Sequence, residues 1–352
     1  MPEFSSALTA ERLKEIRAQA GSPALGAGLV QGSQTPRLWV DGERAAGSGI
    51  AVTEGDLWHF GSITKSMTAT LIARLIDAGD LYWDDTVGDM LGAVAPNMNA
   101  AYRPVTFRHL LNHRSGLSTA TLTASFSFSL PQNIADPREE RRSLTRRALA
   151  TSPKGAPGST FEYANSGYVV AGAMLEAKFG ESWEDLIRTY LFKPLGLQSA
   201  GFGAPGREGA TDQPLGHSDN LPSGARPHPV GSRLTDIMAA LGPAGSVHMS
   251  LRDILRYLTA HRDRSEFLKP QTWATLRTPP FGGDYAMGWL VRPDGALWHN
   301  GSNTLWYAEV LVDAANGFVA AGVCNDGNMT RSKSAVSGAL AEAVRTVPEH
   351  RT

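Results

Sequence analysis

Strand-like apolar runs stand at both ends of this 352-residue chain, and about two hundred residues of helical pattern separate them. Residues 25–30 and 37–40 read as strands, the second ending at the Asp41-Gly42 turn. Residues 285–291, 296–298, 306–312 and 318–323 read as four more, with turns at Pro293-Asp294-Gly295 and Asn316-Gly317. Strands joined by hairpins make an antiparallel sheet. Helical patterns at 8–20 and 332–345 flank these runs, and others cover 107–112, 144–151, 168–179, 183–191 and 251–262. The expectation is an α+β protein whose early strands pair with the late meander. Residues 1–80 and 281–352 would form an α/β lobe and 81–280 a mainly helical lobe, with a site in the cleft between them.

Ser62-Ile63-Thr64-Lys65 opens one helical stretch. Ile63, Met67, Leu71, Ile72, Leu75 and Ile76 recur at helical spacing, and Gly79 stands where the helix from Ser62 would stop. A serine in a first helical turn lies near the positive end of the macrodipole, where an anion is stabilised. A lysine three residues on shares its face. The pair can therefore be a nucleophile with its proton acceptor, or simply a cap and a solvated lysine. The chain contains this pattern once, and two partner motifs follow it in order.

The first is Tyr163-Ala164-Asn165, placed after a turn-rich stretch and before an apolar helix. A loop tyrosine there can deliver a phenol to a cleft, and the Asn165 amide can orient a lysine or a substrate carbonyl. The second is His299-Asn300-Gly301-Ser302, at the end of the 296–298 strand. A glycine there lets another backbone approach, so the amides of Ser302 and Ser62 can form an oxyanion hole.

Charged residues make up 19% and the net charge is −1, which leaves no electrostatic footprint for nucleic acid or an acidic membrane. Cys324 is the only cysteine, which excludes an internal disulfide and a cysteine zinc site. No run is long enough to span a membrane. Met1-Pro2-Glu3-Phe4-Ser5 lacks the regions of a signal peptide, which favours the cytoplasm, although a removed leader would leave the same sequence.

In their order and spacing the three motifs resemble those of the serine β-lactamase/penicillin-binding-protein superfamily. Within it the chain resembles the class C β-lactamase-like serine hydrolases, which include family VIII esterases, D-aminopeptidases, D-alanyl-D-alanine carboxypeptidases and amide hydrolases. The resemblance runs roughly from the first helix to the last. Leu110-Leu111-Asn112-His113-Arg114-Ser115-Gly116-Leu117, Leu191-Phe192-Lys193-Pro194-Leu195-Gly196-Leu197, Pro243-Ala244-Gly245-Ser246 and Tyr285-Ala286-Met287-Gly288-Trp289 also match. It implies the serine β-lactamase/DD-peptidase-like fold, no cofactor and no metal. It makes Ser62 the acylated nucleophile, Lys65 its hydrogen-bonded proton acceptor, Tyr163 the general base and Asn165 its amide partner. His299-Asn300-Gly301 becomes the third motif, where true β-lactamases of this class carry Lys-Thr-Gly. An imidazole that is mostly neutral at pH 7 attracts a substrate carboxylate less than an ammonium does. Weak or no β-lactam hydrolysis is therefore expected, with a short-acyl ester or small amide as the partner.

Lysine and tyrosine both titrate near pH 10, so acting as base near pH 7 needs a shift worth about 4 kcal/mol. The sequence does not divide that role between Lys65 and Tyr163, which belong to one coupled pair. An α/β-hydrolase would need G-x-S-x-G, which no serine provides; Gly116-Leu117-Ser118-Thr119-Ala120 lacks the second glycine. His109 and His113 are an i,i+4 pair, but Leu110 stands where a metalloprotease needs Glu. A non-catalytic binding relative would have no need of Ser62, Lys65 and Tyr163 together. Trp298, Trp306 and Tyr307 are candidates for an acyl or leaving-group pocket, or for the core. Oligomeric state is not encoded in these patterns.

Overall fold

The computed structural model describes residues 8–118, 136–220, 224–232, 235, 237–345 and 347. Met1-Pro2-Glu3-Phe4-Ser5, Thr119 and Ala120 lie outside them. The main sheet has seven strands: β1 (Ala24–Gln31), β2 (Arg37–Gly42), β3 (Tyr285–Ala286), β4 (Trp289–Val291), β5 (Leu297–Ser302), β6 (Tyr307–Asp313) and β7 (Phe318–Cys324). Their order is β2-β1-β7-β6-β5-β4-β3, antiparallel throughout, so the first two strands join the last five as the sequence predicts. Leu25 pairs with Cys324 and Gln31 with Phe318.

Helices cover both faces of this sheet. The Ala10–Ala20 and Met329–Val344 helices pack on one face through Leu13, Ile16, Val336 and Leu340 against Leu25, Ala27 and Leu29. The Leu251–Asp263 helix lies on the other. This double cover explains why β1 is a nearly continuous apolar run rather than an alternating one. The protein is α+β, with an antiparallel sheet flanked by helices.

Several boundaries differ from expectation for identifiable reasons. The 296–298 strand continues to Ser302 as β5. The 285–291 strand is two, broken at Met287–Gly288, where φ is 43° and 89°. A Cβ on Gly288 would lie 2.6 Å from the backbone of Ser66, so this turn is pressed onto the Thr64–Ala78 helix and admits only glycine. The 144–151 helix starts at Pro137 behind an Asp136 cap, its first turns too charged to show an apolar period. The 168–179 helix starts at Asn165, and the 183–191 helix becomes a π turn at Arg188–Phe192. Unforeseen are the Val87–Leu91 and Pro270–Arg277 helices and a hairpin of Gly216–Asn220 with Gly224–His228. So is a small sheet of Leu57–His59, Val247–Ser250 and Gly201–Phe202. Among the described residues no helix is long and apolar enough to cross a membrane.

Candidate active site

Ser62 sits in a 3₁₀ turn, Gly61–Ile63, that runs directly into the Thr64–Ala78 helix. The helix ends at Gly79, as the sequence predicts, with φ 88°. β5 lies against the turn. A Cβ on Gly61 would fall 2.4 Å from Ser302 N, and one on Gly301 would fall 2.7 Å from Ser62 N. Glycine at both places lets the two backbones touch, which brings the amides of Ser62 and Ser302 to one spot. The Gly61 amide donates to His59 Nδ1 at 3.1 Å and so fixes the entry to the turn.

Lys65 is wholly buried, so it is not a solvated first-turn lysine. Its Nζ lies 3.0 Å from Ser62 Oγ and donates to the Ala244 carbonyl at 2.7 Å. Tyr163 hydrogen-bonds it as well, with Nζ 5.0 Å from the phenol ring centre. Burial pushes the Lys65 amine below its usual range, and Tyr163 pulls the other way. A carbonyl can only accept, so one Lys65 N–H points to Ala244 in either charge state. As a neutral amine, Lys65 turns its lone pair to the Ser62 proton. As an ammonium it donates to Ser62, whose proton must then leave toward Tyr163. Three of the predicted residues therefore meet in one pocket.

Phe161 and Tyr163 are exposed by 42% and 37%, and both rings lie against that of His113. Asn165 is the first residue of the Asn165–Phe179 helix. Its Oδ1 is buried without a hydrogen-bond partner among the described residues. His299 is buried in β5, with Nδ1 facing the Asn300 carbonyl and Nε2 3.4 Å from Tyr285 Oη. Burial, aided by the charge of Lys65, lowers its imidazole to about 3. Because β5 continues through the motif, Asn300 alternates with His299 and bonds Tyr307 Oη at 3.3 Å on the other face. Its side chain does not join Ser62. Trp306 is buried against His59, and Tyr307 packs in the cluster beneath the terminal helices, so neither forms a pocket beside Ser62.

Ala244, His113 and Tyr285 belong to this centre without having been predicted. Each lies in one of the secondary signatures, whose pattern could have flagged them. His113 holds a left-handed backbone, φ 56°. Its ring lies 4.3 Å from that of Tyr163, and its Nε2 is 3.1 Å from Tyr285 Oη. Among the described residues no group of three or more His, Cys, Asp or Glu is placed to hold a metal.

The Beta-lactamase family model matches residues 9–345. Penicillin-binding protein 4 of Amycolatopsis lactamdurans is 28% identical over 81% of this chain and 76% of its own length. Esterase EstB of Burkholderia gladioli is 29% identical over 75% of this chain and 74% of its own. Among solved structures, the D-amino acid amidase of Ochrobactrum anthropi SV3 superposes with a TM-score of 0.78, covering 97% of this chain and 98% of that one at 19% identity. The octameric penicillin-binding protein homologue of Pyrococcus abyssi gives 0.77, covering 94% and 76% at 22% identity.

Proposed function

This chain belongs to the Beta-lactamase family and is a serine hydrolase, and from that premise we propose that it is a carboxylesterase acting on short-acyl esters through acylated Ser62. One observation carries the proposal: Lys65 stands 3.0 Å from the Ser62 hydroxyl while the third-motif imidazole, buried at His299, stays uncharged. The pocket thus has an activated serine but no ammonium at that motif for a substrate carboxylate, and a neutral ester meets both conditions. The relationship to Esterase EstB supports the same class.

In the proposed reaction Ser62 Oγ bonds to the ester carbonyl carbon as its proton passes to the Lys65–Tyr163 pair. The carbonyl oxygen gains the negative charge and is held by the amides of Ser62 and Ser302. Collapse breaks the ester C–O bond, and the leaving alkoxide takes the proton from the pair. Water then repeats the sequence on the acyl-enzyme, releasing the acid. The site lies where the nucleophile helix, the Tyr163 loop and β5 meet.

A D-amino acid amide or D-alanyl peptide is the second reading. Asn165 favours it, because its buried Oδ1 can accept a substrate N–H that an ester lacks. Assays of p-nitrophenyl acetate and butyrate, D-amino acid amides, D-alanyl peptides and nitrocefin on one preparation decide between them. The esters should turn over fastest and nitrocefin slowest, and Ser62→Ala should abolish ester turnover. Faster turnover of the amides would transfer the assignment to the second reading. Turnover of none would make the chain a binding relative.

A further inference from the structure

We propose that His113 is a positioning residue which holds Tyr163 in register with Lys65 by fixing the backbone on both sides of it. The Glu162 amide donates to the main-chain oxygen of His113 at 2.8 Å. The Ala164 amide donates to its Nδ1 at 3.1 Å. Tyr163 stands between these two bonds, and its ring lies against the imidazole at 4.3 Å. The loop that carries the phenol is thus anchored immediately before and after it by one residue.

The second of these bonds fixes the tautomer. Since Nδ1 accepts, the single proton of a neutral imidazole sits on Nε2, which faces Tyr285 Oη at 3.1 Å. Tyr285 must therefore turn its own proton away, to His299 Nε2 at 3.4 Å or to Tyr168, with which it shares a hydrogen bond. At His299 the Nδ1 proton goes to the Asn300 carbonyl. His113 thereby links the second motif to the third through groups whose donor directions agree. It is 2% exposed, and burial beside Lys65 and His299 keeps it neutral. A charged ring would set an Nδ1–H against the Ala164 N–H. The left-handed backbone at φ 56° is a conformation of higher energy for a residue with a side chain, and asparagine adopts it more readily than glutamine.

The proposal presupposes that Ser62 is acylated and that the Lys65–Tyr163 pair receives its proton. His113→Asn keeps an acceptor oxygen near the position of Nδ1. His113→Gln offers a donor toward Tyr285 but leaves the Ala164 amide unanswered. His113→Ala removes both. We expect the rate of Ser62 labelling by a p-nitrophenyl phosphonate to fall about 100-fold in the Gln and Ala variants, and less than about tenfold in the Asn variant, because a displacement near 1 Å has that effect on an oriented reaction. KM for p-nitrophenyl butyrate should change little while kcat falls. Thermal melting of each variant confirms that the labelled protein is folded, and if the Ala variant does not fold, the Asn and Gln pair decides. A Gln variant as fast as the parent, or an Asn variant as slow as the Gln variant, overturns the role of His113. A parent labelled at a residue other than Ser62, by peptide mapping, overturns the Ser62 assignment and the proposal with it.

Discussion

Lys65 Nζ lies closer to the main-chain oxygen of Ala244, at 2.7 Å, than to the hydroxyl of Ser62, at 3.0 Å. The amine is therefore oriented by a group that takes no part in proton transfer. Lys65→Met fills the same buried volume without the amine. It should change stability by less than about 2 kcal/mol, since a desolvated amine is lost from the interior but one carbonyl is left unbonded. Acylation of Ser62 should fall by about 10²–10⁴-fold. Urea melts and phosphonate labelling on one preparation test both. Unchanged labelling would remove Lys65 from the proton path.

His59 and His299 are buried uncharged, each held down to about 3, chiefly by desolvation. In the unfolded chain such groups titrate near 6.5. Between those values the unfolded state binds more protons, so stability is highest above about pH 6.5 and falls as the solution is acidified. Each contributes a slope of about 1.4 kcal/mol per pH unit in that window. Urea midpoints measured from pH 8 to pH 5 should be level at first and then drop. A midpoint constant to pH 5 would mean that these rings are charged in the native state or reached by water.

Gly288 admits no side chain. A methyl group would lie 2.6 Å from the Ser66 backbone, at a position where φ is already 89°. Gly288→Ala should destabilise the protein by about 1–3 kcal/mol through overpacking, with a further cost of about 1–2 kcal/mol for the left-handed backbone. Because the displaced segment is Lys65–Ser66, Ser62 labelling should slow as well. A melting temperature equal to the parent's would contradict the contact.

Arg141 is completely buried, and its guanidinium bonds Glu176, Glu184 and the carbonyls of Ala239 and Ala240. Its neighbour Glu140 accepts from the Ala240 amide at 2.8 Å. The Pro137–Leu149 helix thus secures the segment that reaches Ala244. Arg141→Ala leaves buried Glu176 uncompensated and should cost about 3–5 kcal/mol. Denaturant titration gives the loss, and a change under about 1 kcal/mol would show that the cluster is dispensable.

Sequence patterns exposed whatever was local and periodic. The Thr64–Ala78 helix shows its apolar period and its terminal glycine, and the late strands show their hairpin turns. Ala244 was hidden because it contributes only a main-chain oxygen, which any residue carries. His113 was hidden because its partners lie about fifty residues or more away in the chain, at Ala164 and Tyr285. Asn300 leaves the Ser62 side because the strand runs on to Ser302, past Trp298 where the sequence pattern ends it. Glycine reads as a stop, whereas Gly301 is glycine because Phe60 O would lie 2.0 Å from a Cβ there. Strands of two or three residues, such as Gly201–Phe202 and Leu57–His59, are too short to show alternation.

The pairing of Leu25 with Cys324 also sets a timetable for biosynthesis. At a ribosomal rate of about 5–20 residues per second, β1 waits roughly 15–60 s for its partner to be made. Until then one long border of an apolar ribbon stays open, and the amide of Ser302, made only shortly before β7, has not yet met Ser62. A nascent chain therefore carries an unpaired apolar strand edge until nearly the last strand emerges, the condition under which edge-to-edge association is favoured.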